Sequence, residues 1–398
     1  MKTIDKEFSK LFLKIYFFIF LISFLGLALK NSRTFFVIFF SFFIFFDILK
    51  ILKFKHVYRS SRFLLTYISV LLFICFHMLI FPELNSIFLL RIRRFIFVCM
   101  TIYLIAQEMT ISHNFFNDFK KYFNIIILML SLADILFLLN IIKQNENYSM
   151  GLSYSLLFYL SVYSICKKKI RKIDYLKILY MILFIFRYGS RGAILAYLVL
   201  IFMYLLNKLY FNKKYKLLLT YIISSTMVYY IFLKTNFVEL VFQKIAELGV
   251  KSRTIILFQQ KEIHLSGRGE IYKNVYNSIL KDPFSVKGIF SDFFVTGINN
   301  YSHNIVLELL YQFGIILGGF ILFLILLIFF SSIYRKQKSP KDNLLFIFAI
   351  ISVVHLMISG TLWESVEFWT WIGLYLKQRN EKNYILSSSK KNLDYSLI

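Results

Sequence analysis

The chain has 398 residues, of which 59% are hydrophobic, 20% aromatic and only 17% charged. A soluble domain of this size cannot hide that much apolar surface, and a disordered chain would not carry it, so the solvent for most of the sequence is a bilayer. The net charge of +26 would suit nucleic acid in a soluble protein, but Lys and Arg fall in short gaps between apolar runs, where retention on the cytoplasmic side of a membrane accounts for them.

A spanning helix needs about 20 mostly apolar residues. Stretches of that kind lie at 11–29, 34–49, 63–81, 87–106, 122–142, 150–166, 175–190, 192–210, 217–233, 303–333, 343–361 and 366–376. The expected fold is therefore all-α, a polytopic integral membrane protein of about 12 transmembrane helices. The first run has no small-residue cleavage site after it and reads as a retained span. The tenth is long enough to tilt strongly or to begin above the membrane. The last is short and aromatic (Phe368, Trp369, Trp371), the pattern of an interfacial segment. Cys75, Cys99 and Cys166 sit in apolar runs without close spacing, which indicates neither a disulfide framework nor a zinc site.

Alternating the spans from a cytoplasmic N-terminus puts 28 Lys and Arg in the inner segments and 4 in the short outer ones. Both termini are thereby expected in the cytoplasm. The chain divides into a nine-span region (1–233), an extracytoplasmic loop (234–302), a C-terminal membrane region (303–376) and a basic cytoplasmic tail (377–398). The loop holds five of the 14 Gly and Pro283. Residues 238–263 read as amphipathic, and 270–281 as a short helix stopped by Asp282-Pro283. Loops of this length are usually functional. No internal repeat is visible, which counts against an inverted-repeat transporter.

Ionisable groups at membrane depth are functional candidates by default. Asp47 and Lys14 can snorkel, and Asp134 and His355 read first as helix-packing groups. Arg187 and Arg191 stand apart in Arg187-Tyr188-Gly189-Ser190-Arg191-Gly192, where the seventh span ends and the eighth begins at the outer surface. Ser190 can cap the eighth helix, leaving Arg191 and Gly192 in a first turn that favours an anion. The alternative is a turn with a snorkelling arginine. Asn299-Asn300-Tyr301-Ser302-His303-Asn304 leads into the tenth span. With Ser302 as cap, His303 would stand in the first helical turn, its pKa lowered by the helix end and its imidazole free to accept a proton. Ser112-His113-Asn114 is a decoy that the charge count puts on the cytoplasmic side. Ser266-Gly267-Arg268-Gly269 in the loop would let Arg268 approach a ligand closely. There is no Walker-type loop, dinucleotide fingerprint, HExxH or metal-ligand cluster, so no cofactor and no metal are expected.

These landmarks, in this order and on one face, resemble bacterial O-antigen polymerases of the Wzy type and the related O-antigen ligases. They are Ser190-Arg191-Gly192 opening a span, Gly267-Arg268 and Asp282-Pro283 in the outer loop, and His303-Asn304 entering the next span ahead of Gly314, Gly318 and Gly319. The resemblance covers about 187–320. Tyr272 stands where an aromatic Trp often follows the loop arginine, and only Gly288 remains of a glycine pair often found after the proline. The resemblance implies saccharide repeat units on polyprenyl pyrophosphate as donor and acceptor at the outer face of the bacterial inner membrane, with a chain-length regulator protein as partner and no nucleic acid. It implies that Arg191 and Arg268 stabilise the leaving pyrophosphate, with His303 as general base. It implies that Arg187, Gly192 and Asn304 help to bind substrate. Arg91 and Arg94, near the outer end of the fourth span, would hold a second lipid's pyrophosphate or else simply snorkel. A ligase acting on lipid A core would use the same residues. A lipid-linked oligosaccharide flippase would instead show two similar halves.

Overall fold

A backbone in hydrocarbon must satisfy its own polar groups, and a helix does so within one segment. Every regular element among the described residues of this computed structural model is accordingly helical. Those residues are 2–28, 42–44, 46–47, 57–111, 113–139, 149–167, 171–188, 190–234, 244, 268–297, 300–337 and 339–395. The expected span at 34–49 lies mostly outside them, and the amphipathic stretch at 238–263 almost wholly so.

The helices run α1 (Lys2–Ala28), α2 (Val57–Ile80), α3 (Asn85–Arg94), α4 (Thr101–Glu108), α5 (His113–Leu138), α6 (Met150–Cys166), α7 (Lys172–Tyr188), α8 (Arg191–Phe211), α9 (Tyr215–Lys234), α10 (Arg268–Lys281), α11 (Asp292–Thr296), α12 (Ile305–Ile333), α13 (Pro340–Ile358) and α14 (Val366–Tyr395). A π-helical turn at Phe95–Met100 joins α3 to α4. Five helical stretches are long and apolar enough to cross a membrane: Lys6–Gly26, Phe63–Ile80, Arg191–Phe211, Ile305–Ile333 and Pro340–Ile358. Met150–Cys166 and Tyr215–Val228 are shorter apolar helices. The protein is thus an all-helical membrane protein.

At the centre, α1, α6 and α13 meet through packed aromatic rings. Tyr16 lies 4.2 Å from Phe158 and 5.7 Å from Phe348, centroid to centroid. The Tyr16 hydroxyl shares a 2.8 Å hydrogen bond with Thr370 of α14, as a buried phenol must find a partner.

Two expectations change. The segment from 366 is not a short interfacial stretch. It starts a 30-residue helix that continues through most of the expected tail. Phe368 and Trp371 are buried inside the bundle, where Trp371 donates to Ser332 at 3.0 Å. Phe368 and Trp371 thus serve packing between helices.

The tenth span, in turn, is not one rod. Gly314 has φ 70° and ψ 170°, which breaks α12 into two helices. A side chain there would begin 2.8 Å from the Phe284 carbonyl, so only glycine fits. Residues 283–288 fill the break. Ile315 donates to the Pro283 carbonyl at 2.8 Å, and the Gln312 carbonyl accepts from Lys287 at 2.9 Å and Gly288 at 3.1 Å. The broken backbone is thereby satisfied by the loop that precedes it.

The break and the helix order give the bundle two distinct ends. One collects the N-termini of α8 and α12 and the C-terminus of α13. The opposite end joins the far ends of α8 and α12, where Asn207 donates to the Ile333 carbonyl at 2.6 Å.

Candidate functional site

Ser190 caps α8 as its sequence position predicts. Its side chain accepts from the Ala193 N–H at 3.3 Å. The Ser190 N–H is itself taken by Ser153 of α6 at 2.8 Å, which fixes the turn from beneath. Arg191 and Gly192 therefore occupy the first turn, where backbone N–H groups and the helix dipole favour negative charge. Gly192 is buried. A side chain there would begin 2.6 Å from the Tyr154 hydroxyl and 3.4 Å from Ser359 Oγ.

The entry to α12 differs from expectation by two residues. The cap is Asn304, whose side chain accepts from Val306 at 2.9 Å and Leu307 at 3.4 Å. Ser302 does not cap the helix; it lies two residues ahead of Asn304, with its N–H held by the buried Asp292 at 2.9 Å. Asn304 is therefore a structural cap in addition to any part in binding. His303 stands just ahead of the helix in left-handed backbone, φ 53°. Its ring packs on Tyr301 at 3.9 Å, and its Nδ1 is buried with no hydrogen-bond partner among the described residues. Burial first, then the Arg268 guanidinium, lowers the His303 pKa to about 4, against the pull of the Ser359 backbone. The expected direction holds, but a buried site and a neighbouring cation cause it.

Arg268 opens α10. Its Nη2 donates to Ser359 Oγ at 3.5 Å. Ser359 also accepts, through its carbonyl, a short hydrogen bond from the Tyr301 hydroxyl. The elements carrying Gly192, Arg268 and His303 thus converge on one residue at the end of α13.

Carboxylates surround this point without being free. Glu308 is fully buried and accepts from Thr361 Oγ1 at 2.6 Å and from the Leu362 N–H at 3.2 Å. Asp292 accepts from Gln312 at 3.0 Å as well as from Ser302. Its pKa is raised by burial, with those hydrogen bonds opposing the rise. Gln312 in turn accepts from the Trp363 indole at 3.0 Å. Together these bonds latch the 361–365 turn onto the first half of α12. Among the described residues, no group of three or more His, Cys, Asp or Glu could hold a metal ion.

The other arginines divide. Arg91 stacks over the Phe293 ring at 4.8 Å and lies 3.9 Å from Glu364, so it ties the loop to α3. Arg187 lies 3.6 Å from Asp134, which also accepts from Tyr180 at 2.8 Å, an arrangement that joins α5 to α7. Arg94 is exposed at the end of α3, close enough to Tyr301 to act on its titration. Tyr301 itself is pushed up mainly by burial, then by Glu364 and Glu308. Gly267 and Asn299 lie outside the described residues.

Sequence reading missed Ser359 and Tyr154. The only signal for Ser359 was a Ser-Gly pair at the end of an apolar run. Tyr154 stacks on His355 at 3.8 Å, and His355 Nδ1 lies 3.5 Å from Glu367, which supports the underside of the same turn.

Residues 176–324 match a family model described as O-antigen ligase. No curated protein and no solved structure matches the chain.

Proposed function

The match over residues 176–324 supports the O-antigen ligase/polymerase superfamily, glycosyl-transfer enzymes of O-antigen pathways, and on that footing we propose that this chain is a polysaccharide polymerase. It joins oligosaccharide repeat units carried on polyprenyl pyrophosphate at the outer face of the bacterial inner membrane. The sugar–pyrophosphate bond is already activated, so no nucleotide is needed.

The acceptor hydroxyl oxygen attacks the anomeric carbon of the donor. The carbon–oxygen bond to pyrophosphate breaks, and its electron pair stays on the pyrophosphate. Arg191 and Arg268 stabilise that charge, two guanidiniums supplying what a bound cation would otherwise supply. The hydroxyl proton goes to the His303 imidazole, which is neutral above about pH 4. The observation that carries this reading is the meeting of Arg268 and the Tyr301–His303 pair on Ser359, with the first turn of α8 on its other side. Arg91, held by Glu364 and Phe293, fits an anchor for the loop better than a lipid contact. Arg94, exposed at the end of α3, is the residue left for a second lipid's pyrophosphate, while Arg187 lies against Asp134.

The match to the O-antigen ligase family favours one second reading, a ligase that transfers glycan to lipid A core with the same residues. Complementation of a polymerase-null strain separates the two. A restored ladder of surface glycan supports the polymerase, and single repeats capped on core count against it. Polymerisation by the purified protein should also survive excess chelator.

A further inference from the structure

Ser359 belongs to none of the sequence landmarks, yet it is the residue on which they meet. It is 2% exposed. Its own N–H and that of Gly360 both donate to the His355 carbonyl at 2.8 Å, which fixes it to the end of α13. On its other flank, Glu308 grips Thr361 and Leu362. A residue held on both sides cannot follow its neighbours, so its neighbours must follow it. Its hydroxyl receives one arm of Arg268, and its carbonyl receives Tyr301, whose ring carries His303.

We propose that Ser359 is a positioning residue for the glycosyl transfer, setting the separation between the arginine that faces the leaving group and the histidine that takes the proton. The inference rests on the polymerase reading above. A guanidinium has five N–H donors in a rigid fork. Binding one arm to Ser359 orients the remainder without consuming them. Glycine at 192 fits the same packing: a side chain there would meet Ser359 Oγ at ordinary contact distance and press only on the Tyr154 hydroxyl, 2.6 Å away.

The test uses the full-length protein purified in detergent, as wild type, Ser359→Ala and Ser359→Thr. One readout is binding of undecaprenyl pyrophosphate, the leaving group itself. The other is turnover of a synthetic undecaprenyl-pyrophosphate-linked oligosaccharide across pH. Arg268 is the charged group that acts on His303, while Tyr301 feels Glu364, Glu308, Arg268 and Arg94. Loosening Arg268 in Ser359→Ala should therefore move the acid limb of kcat/KM to higher pH. It should also lower kcat about tenfold, the scale of one hydrogen bond to a charged group. Undecaprenyl pyrophosphate binding should change far less, and Ser359→Thr should return the limb to its wild-type position. A limb midpoint does not depend on how much protein folds, so poor recovery of Ser359→Ala leaves the test intact. An unmoved limb with wild-type kcat would overturn the proposal, as would a loss that follows only the folded fraction. Wild-type protein that neither binds nor turns over these probes would instead remove the polymerase reading, and this inference with it.

Discussion

The two ends of the bundle use the same residue types in opposite ways. At the end away from Ser359, polar and charged side chains are consumed by the structure. Asp174, buried in the first turn of α7, accepts from the Tyr163 hydroxyl at 2.6 Å and the Arg171 N–H at 2.7 Å, and also pairs with Lys167. Lys341 pairs with Glu381, Arg335 with Gln378, and Lys377 donates to the Met109 carbonyl. At the Ser359 end, His303 Nδ1 has no partner among the described residues, and the bond from Arg268 to Ser359 is long at 3.5 Å. Here Asp292 and Glu308 are spent on donors of Ser302, Gln312 and the 361–365 turn, and Arg91 and Arg187 lie against Glu364 and Asp134. A basic residue at a helix end does not announce a site. What distinguishes one is whether its neighbours have already claimed it.

The largest effect that can break this contrast is at His303. A general base contributes about 10²–10⁴-fold in rate, so His303→Ala should nearly abolish polymer while undecaprenyl pyrophosphate still binds. His113→Ala, in the decoy tripeptide, should be close to silent in the same assay. Near wild-type polymer from His303→Ala would end the assignment. In the wild type, the acid limb of kcat/KM should fall near pH 4, because the base must be neutral and its pKa is held below the usual 6.5. A limb near 6.5 would mean that the burial and the Arg268 contact are absent in the working enzyme.

Arg191→Lys and Arg268→Lys come next. Each keeps the charge and loses the planar fork, and each should cost about tenfold to a hundredfold in turnover. Full activity with Lys but not with Ala would show that charge alone suffices.

Gly192→Ala should cost less, several-fold in turnover, through crowding of the kind that costs about 1–3 kcal/mol in a packed core. Adding Tyr154→Phe removes the atom nearest the new methyl and should recover part of the loss. No recovery would show that the Tyr154 hydroxyl is not what excludes a side chain at 192.

The smallest effect belongs to the opposite end. Lys341→Ala removes a partly exposed pair and should change thermal stability by about 0–1 kcal/mol, with turnover per folded molecule unaltered. A large loss of turnover there would erase the distinction between the ends.

What the sequence disclosed was what local chemistry decides. The Ser190 cap is an interaction between residues 190 and 193, and the Ser-Arg-Gly order was enough to place it. The α12 cap differs from expectation because Ser302 and Asn304 both suit the role, and where the helix begins is set by distant contacts such as that of Asp292, ten positions earlier, which holds Ser302 ahead of it. The aromatic stretch near Trp369 looked interfacial because its helix partners are distant in sequence. Ser359 was invisible for the same reason: its importance lies in Arg268 and Tyr301, which sit 91 and 58 positions away.

The break at Gly314 also bears on how the protein responds to its solvent. An unbroken 29-residue rod would measure about 44 Å, well beyond a hydrocarbon core of about 30 Å. Any thinning of the bilayer would then tilt the whole rod and swing His303 sideways. Residues 315–333 alone measure about 28 Å, and only they need follow the lipid. Residues 283–288 bond Ile315 on one side of the break and Gln312 on the other, so a protein segment, and not the lipid, sets the angle at which the first half of the helix leaves the second.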